Sequence, residues 1–73
     1  MANQVPNSKT IIDDYTNTNY TYICWTYDLS ALSSQAKWII KRITNATNVT
    51  MYADGNDQPD NIADNRATTV VYS

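Results

Sequence analysis

The side chains able to do chemistry in this 73-residue chain are seven aspartates, five Lys or Arg and one cysteine; histidine and glutamate are absent. Without histidine there is no Ser/His or Cys/His nucleophile pair, no Cys/His zinc set, and the commonest general base is missing. Cys24 lies between Ile23 and Trp25. It reads as a small buried apolar side chain rather than a reactive thiol, and alone it closes no internal disulfide. Asp13 and Asp14 are neighbouring carboxylates of the type used in acid/base work, but so short a chain offers little wall to enclose a substrate, so no enzymatic activity is expected. Asp54, Asn56, Asp57, Asp60 and Asp64 fall within eleven residues, and calcium favours such oxygen clusters. The order does not suit an EF-hand loop, because Gly55 directly follows the first Asp and no Glu closes the run. The cluster therefore reads as a loop whose Asx side chains bond their own backbone, with no metal and no cofactor. Asn19-Tyr20-Thr21, Asn45-Ala46-Thr47 and Asn48-Val49-Thr50 match the glycosylation acceptor pattern, which a chain rich in Asn and Thr meets by chance.

Six Tyr and two Trp are the remaining candidates. Such rings serve either as core or as a surface that stacks on a sugar or a partner protein. With no Phe and few Leu, Trp25, Trp38 and about half of the tyrosines are needed for the core. Tyr15, Tyr20, Tyr27 and Tyr72 stand open to either role.

The elements that would position these residues are short. A chain near this length buries only about 60% of its unfolded surface, so one thin-cored domain is expected and a multi-domain enzyme is excluded. The net charge is −2, and the only basic cluster is Lys37, Lys41 and Arg42. That is too little to neutralise a phosphate backbone, so nucleic acid is not an expected partner. No apolar run approaches the ~20 residues of a spanning helix, and residues 1–9 lack the charged start and apolar stretch of a signal peptide. Neither a membrane association nor a secretion route is expected, and synthesis in a cytoplasm fits.

Residues 1–9 are polar, include Pro6 and read as an extended arm; residues 10–73 read as a single small β domain. Residues 10–15 suit a short edge strand guarded by the charges of Asp13 and Asp14. Residues 19–27 are the clearest strand, with Thr21, Ile23, Trp25 and Tyr27 on one face and Tyr20, Tyr22, Cys24 and Thr26 on the other. Both faces are largely apolar or aromatic, so the strand is either covered twice or meets another chain. Residues 28–35 form a Ser-rich connector. Residues 36–43 carry apolar positions at helical spacing but also three Ile and a Trp close together, and strand is favoured over helix. A turn at 44–47 leads to a strand at 48–53. Asp54–Gly55 is a type I′ turn pair, with the chain's single glycine where φ must be positive. A long loop at 56–65 precedes a last strand at 66–72. The fold class expected is all-β: an antiparallel meander or barrel of four to five short strands with an extended N-terminal arm.

The stretch from Tyr22 onward resembles a family of short tailed-phage virion proteins. The matching residues are Ser33, Ser34 and Ala36, then Trp38-Ile39-Ile40-Lys41-Arg42-Ile43, Ala53-Asp54-Gly55-Asn56, Asp60-Asn61, Asp64-Asn65-Arg66-Ala67 and Tyr72-Ser73. They span about two thirds of the chain. Pro59 and Ala63 stand where the family pattern has Phe and Trp. The resemblance favours strand for 36–43. It implies a structural component of a virion (head, neck or tail), whose partners are other virion proteins and copies of itself. Tyr20, Tyr22, Trp25 and Trp38 are the residues expected to carry packing and subunit contacts, with the arm available as an added strand on a neighbour. Asp64 and Arg66 are expected to clamp the long loop onto the Asp54–Gly55 turn, since a guanidinium fork suits a carboxylate. The alternative is a host-surface or glycan-binding module of a tail fibre, with exposed tyrosines stacking on sugars.

Overall fold

The computed structural model describes residues 8–73. The chain is all-β: β1 (Lys9–Asp13), β2 (Tyr20–Thr26), β3 (Ala36–Thr44), β4 (Val49–Tyr52) and β5 (Asn61–Ile62), followed by one 3₁₀ turn (Ala63–Asn65). Every pairing is antiparallel. The first four strands form a meander in the order β1-β2-β3-β4, and β5 pairs with β3. The sheet is open and does not close into a barrel. β3 is its hub. One edge bonds β2, while the other is shared between β4 at residues 41–44 and β5 at residues 36–38.

Side chains of the chain's own loops form the turns, which explains the Asx and Thr bias. The Asp13 carboxylate accepts hydrogen bonds from the backbone N–H groups of Tyr15 (3.1 Å) and Thr16 (2.9 Å). Asn17 Oδ1 accepts from the Asn19 N–H, and Asp28 Oδ1 from the Ser30 N–H. Each is an Asx turn that satisfies amides a loop would otherwise leave bare. Asn48 closes the β3–β4 hairpin with φ +58°, a left-handed conformation that Asn tolerates better than most residues. Asp54 (φ +57°) and Gly55 (φ +72°) both adopt positive φ, as a type I′ pair requires.

Paired residues share a face, so the register sorts the sheet. Ile11, Cys24 and Ile40 lie on one side, with Asp13, Tyr22, Arg42 and Met51 in the next row. The C-terminal segment covers this side. Ala63, Val70 and Tyr72 pack with Cys24, Trp38, Ile40, Ala53 and Ile11 into the core. Each large apolar side chain withdrawn from water here contributes about 1.5–3 kcal/mol. On the other side lie the rows Thr10–Trp25–Ile39, Ile12–Ile23–Lys41–Tyr52 and Thr21–Ile43–Thr50.

Three local expectations change. Residues 66–72 do not form a strand. The Asn65 carbonyl instead gathers the N–H groups of Thr68, Thr69 and Val70, coiling 66–69 into turns, and only Tyr72 bridges to Ala53. The arm expected over 1–9 lies outside the described residues up to position 7, and Lys9 already belongs to β1. Asp13 is not an edge guard: it is wholly buried, while Asp14 remains exposed.

Candidate interaction surfaces

Two places combine aromatic and charged groups. The first is the open side of the sheet. There β1, β2 and β3 hold Thr10, Ile23, Trp25 and Lys41 around a shallow depression of about 260 Å³ that Ser8 and Tyr27 also line. Lys41 Nζ lies 5.8 Å from the centre of the Trp25 ring, an attractive cation–π placement. Ile12 is 63% exposed and Tyr27 62% exposed on this side. The alternation of 19–27 thus has one packed face and one half-open face, on which Ile23 and Trp25 are half-buried and Ile39 beside Trp25 is buried.

The second lies on the covered side, where β2, β3 and the C-terminal segment meet. The Arg42 guanidinium carbon sits 4.3 Å from the Tyr20 ring centre and 4.7 Å from that of Tyr72. Tyr22 lies beside both rings, at 6.2 Å from Tyr20 and 6.0 Å from Tyr72. The Tyr72 hydroxyl donates to the Arg66 carbonyl at 2.8 Å, which fixes the ring. Burial pushes the Tyr22 and Tyr72 hydroxyls above the usual tyrosine range.

The four aromatic residues expected at contacts divide evenly. Trp25 and Tyr20 are half-buried and reachable. Trp38 is 2% exposed and Tyr22 3%; both are core, so neither can meet a partner of the folded chain. Trp38 also uses its Nε1–H on the Leu32 carbonyl at 2.9 Å, so its polar end is satisfied within the chain.

The expected loop clamp is built differently. Arg66 turns away from Asp54 and donates from Nε to Asp13 Oδ2 (2.9 Å) and from Nη1 to the Ala63 carbonyl. Asp64 is exposed and contributes its backbone, donating its N–H to the Ser33 carbonyl. The turn at 54–55 is held by the C-terminus: the Asp54 N–H donates to the Val71 carbonyl, and Gly55 lies against Ser73. Arg66 goes to Asp13 because that carboxylate is buried and Asp54 is in water.

Burial alone would push the Asp13 carboxyl up, but hydrogen bonds from Thr16, Tyr15 and Arg66 outweigh it and hold it well below the usual carboxylate range. Burial also opposes charge on Arg66, and the Asp13 carboxylate more than restores it. The Cys24 thiol is pushed up to about 11, chiefly by burial, so it stays a neutral packing group. Among the described residues there is no group of three or more His, Cys, Asp or Glu that could hold a metal ion, and no helix is long and apolar enough to cross a membrane.

What sequence reasoning missed is the role of Asp13 and of Arg42. Asp13 carries a local signal, since Asp followed by polar residues forms Asx turns. Arg42 carries none until the register places it opposite Tyr22. Comparison of the chain with protein-family models, with curated proteins and with solved structures gave no significant match.

Proposed function

We propose that this protein is a non-enzymatic structural component of a tailed-phage virion that works through repeated contacts with other virion proteins and copies of itself. Two things support the reading: the run of residues that resembles that family, and the partly open apolar side of the sheet. The second carries it. A one-layer sheet buries one face with its own C-terminal segment, and Ile12, Ile23, Trp25 and Tyr27 lie on or beside the other. Repetition by symmetry multiplies a weak contact of this kind. The test is mass spectrometry of purified virions together with sedimentation of the free protein. The protein is expected in the particle, and Trp25→Asp is expected to remove it from the particle without unfolding it. Absence from virions, with a monomer at high concentration, counts against the reading.

A second reading, a glycan-binding module, draws on the same depression, where an indole, a phenol, a Thr hydroxyl and an ammonium converge. A glycan array separates the two. Saturable sugar binding lost in Tyr27→Ala, with incorporation into particles intact, favours the second.

A further inference from the structure

Arg42 is a cation without an anion. Of the other four basic residues, Lys9 donates to the Ala31 carbonyl, Lys37 pairs with Asp28 at 3.0 Å, Lys41 faces Trp25, and Arg66 pairs with Asp13. Among the described residues, Arg42 Nη2 has only the Met51 thioether at 3.5 Å, a weak acceptor, and the enclosed Nε has no partner. All seven aspartates are among the described residues and none pairs with it; residues 1–7 contain no carboxylate side chain. The chain therefore has no Asp or Glu side chain to offer. Two tyrosine rings offset part of the charge and hold the guanidinium plane fixed. A partly desolvated charge still favours a counter-ion.

We propose that Arg42, held against the rings of Tyr20 and Tyr72, binds an oxyanion supplied from outside the chain. Both rings lie against the guanidinium and Nε is enclosed, so a ligand meets the edge formed by the two terminal Nη groups. A planar edge with parallel N–H groups selects carboxylate, phosphate or sulfate over a spherical ion such as chloride. The rings also pre-organise the fork, so little side-chain freedom is lost on binding. The site lies across the sheet from the Trp25 depression and does not depend on the virion reading.

The test follows the Arg42 Nε–H by NMR in the full-length isotope-labelled protein. Sodium acetate, inorganic phosphate and sodium sulfate are titrated at fixed ionic strength, with chloride as the reference. A saturable shift with an oxyanion and none with chloride is expected. Saturation by acetate assigns a carboxylate source, and saturation by phosphate or sulfate alone assigns a phosphate or sulfate group. Two variants follow. Met51→Glu places a carboxylate beside Nη2, and is expected to stabilise the fold and weaken the external anion by about tenfold or more. Arg42→Lys keeps the charge, loses the fork and is expected to weaken it similarly. A linear drift common to all four salts, or saturation undiminished in both variants, overturns the proposal.

Discussion

Arg66 Nε donates to Asp13 Oδ2 across 2.9 Å, joining residues 53 positions apart. Asp13 is wholly buried at the end of β1, and Arg66 keeps only 17% of its side chain in water. The same carboxylate, through Oδ1, shapes the β1–β2 turn. One side chain thus sets a local turn and ties down the C-terminal cover. Arg66→Met strands a buried carboxylate and is expected to cost about 3 kcal/mol, the low end for a broken buried pair because Arg66 retains some hydration. Urea denaturation followed by Trp fluorescence measures it; a loss under about 1 kcal/mol would sink this account of the pair.

Acid stability follows from the same residue. Asp13 is more acidic folded than unfolded, so protonation favours the unfolded chain. Its contribution is fully present above the unfolded value, about 4, and is lost as pH falls toward its lower folded value. Asp28, held down to about 2 chiefly by its Ser30 hydroxyl hydrogen bond and then by Lys37, adds in the same direction. Stability is expected to be flat from neutrality to about pH 5 and to fall steeply below about pH 4. Asp13→Asn should start less stable and show a shallower fall; a parallel curve refutes the assignment.

The Cys24 thiol, pushed up to about 11 by burial and wholly enclosed, is expected to ignore a disulfide reagent at pH 8 in the native protein. It should react fully once denaturant unfolds the chain. Rapid native labelling would show that the C-terminal cover opens readily.

Gly55 combines φ +72° with a close approach, since an added Cβ would stand 3.3 Å from Ser73 Cβ. Gly55→Ala is expected to cost about 1 kcal/mol or more. Asp54→Asn, at φ +57°, is expected to change stability by less than about 0.5 kcal/mol, because Asn accepts that region. Thermal unfolding of the two variants side by side checks the contrast.

The fold was legible where patterning was local. Alternation in 19–27, the crowding of Ile and Trp in 36–43 and the Asp54–Gly55 pair each mark the element that forms, because pleat and turn geometry act on adjacent residues. The C-terminal region was not legible. Thr68, Thr69 and Val70 have strand propensity, but the Asn65 carbonyl captures their amides first. The roles of Trp38 and Tyr22 as core, and of Trp25 as a reachable ring, depend on which face the C-terminus covers. Nothing in 19–27 or 36–43 alone decides that. Tyr20 shares the covered face and stays half-exposed at the first position of β2. Arg66 found Asp13 rather than Asp54 because desolvation, set only by the tertiary arrangement, strengthens one pair over the other.

The divided edge of β3 has a kinetic meaning. β4 grips one half and β5 the other, so the tail from Asn61 onward can detach from its half while the four-stranded ladder keeps its hydrogen bonds. Deuterium uptake should therefore split into two classes, with amides of the tail exchanging ahead of those shared by β2 and β3. The tail is expected to act as a hinged flap that opens ahead of global unfolding, yet seldom enough to leave Cys24 protected.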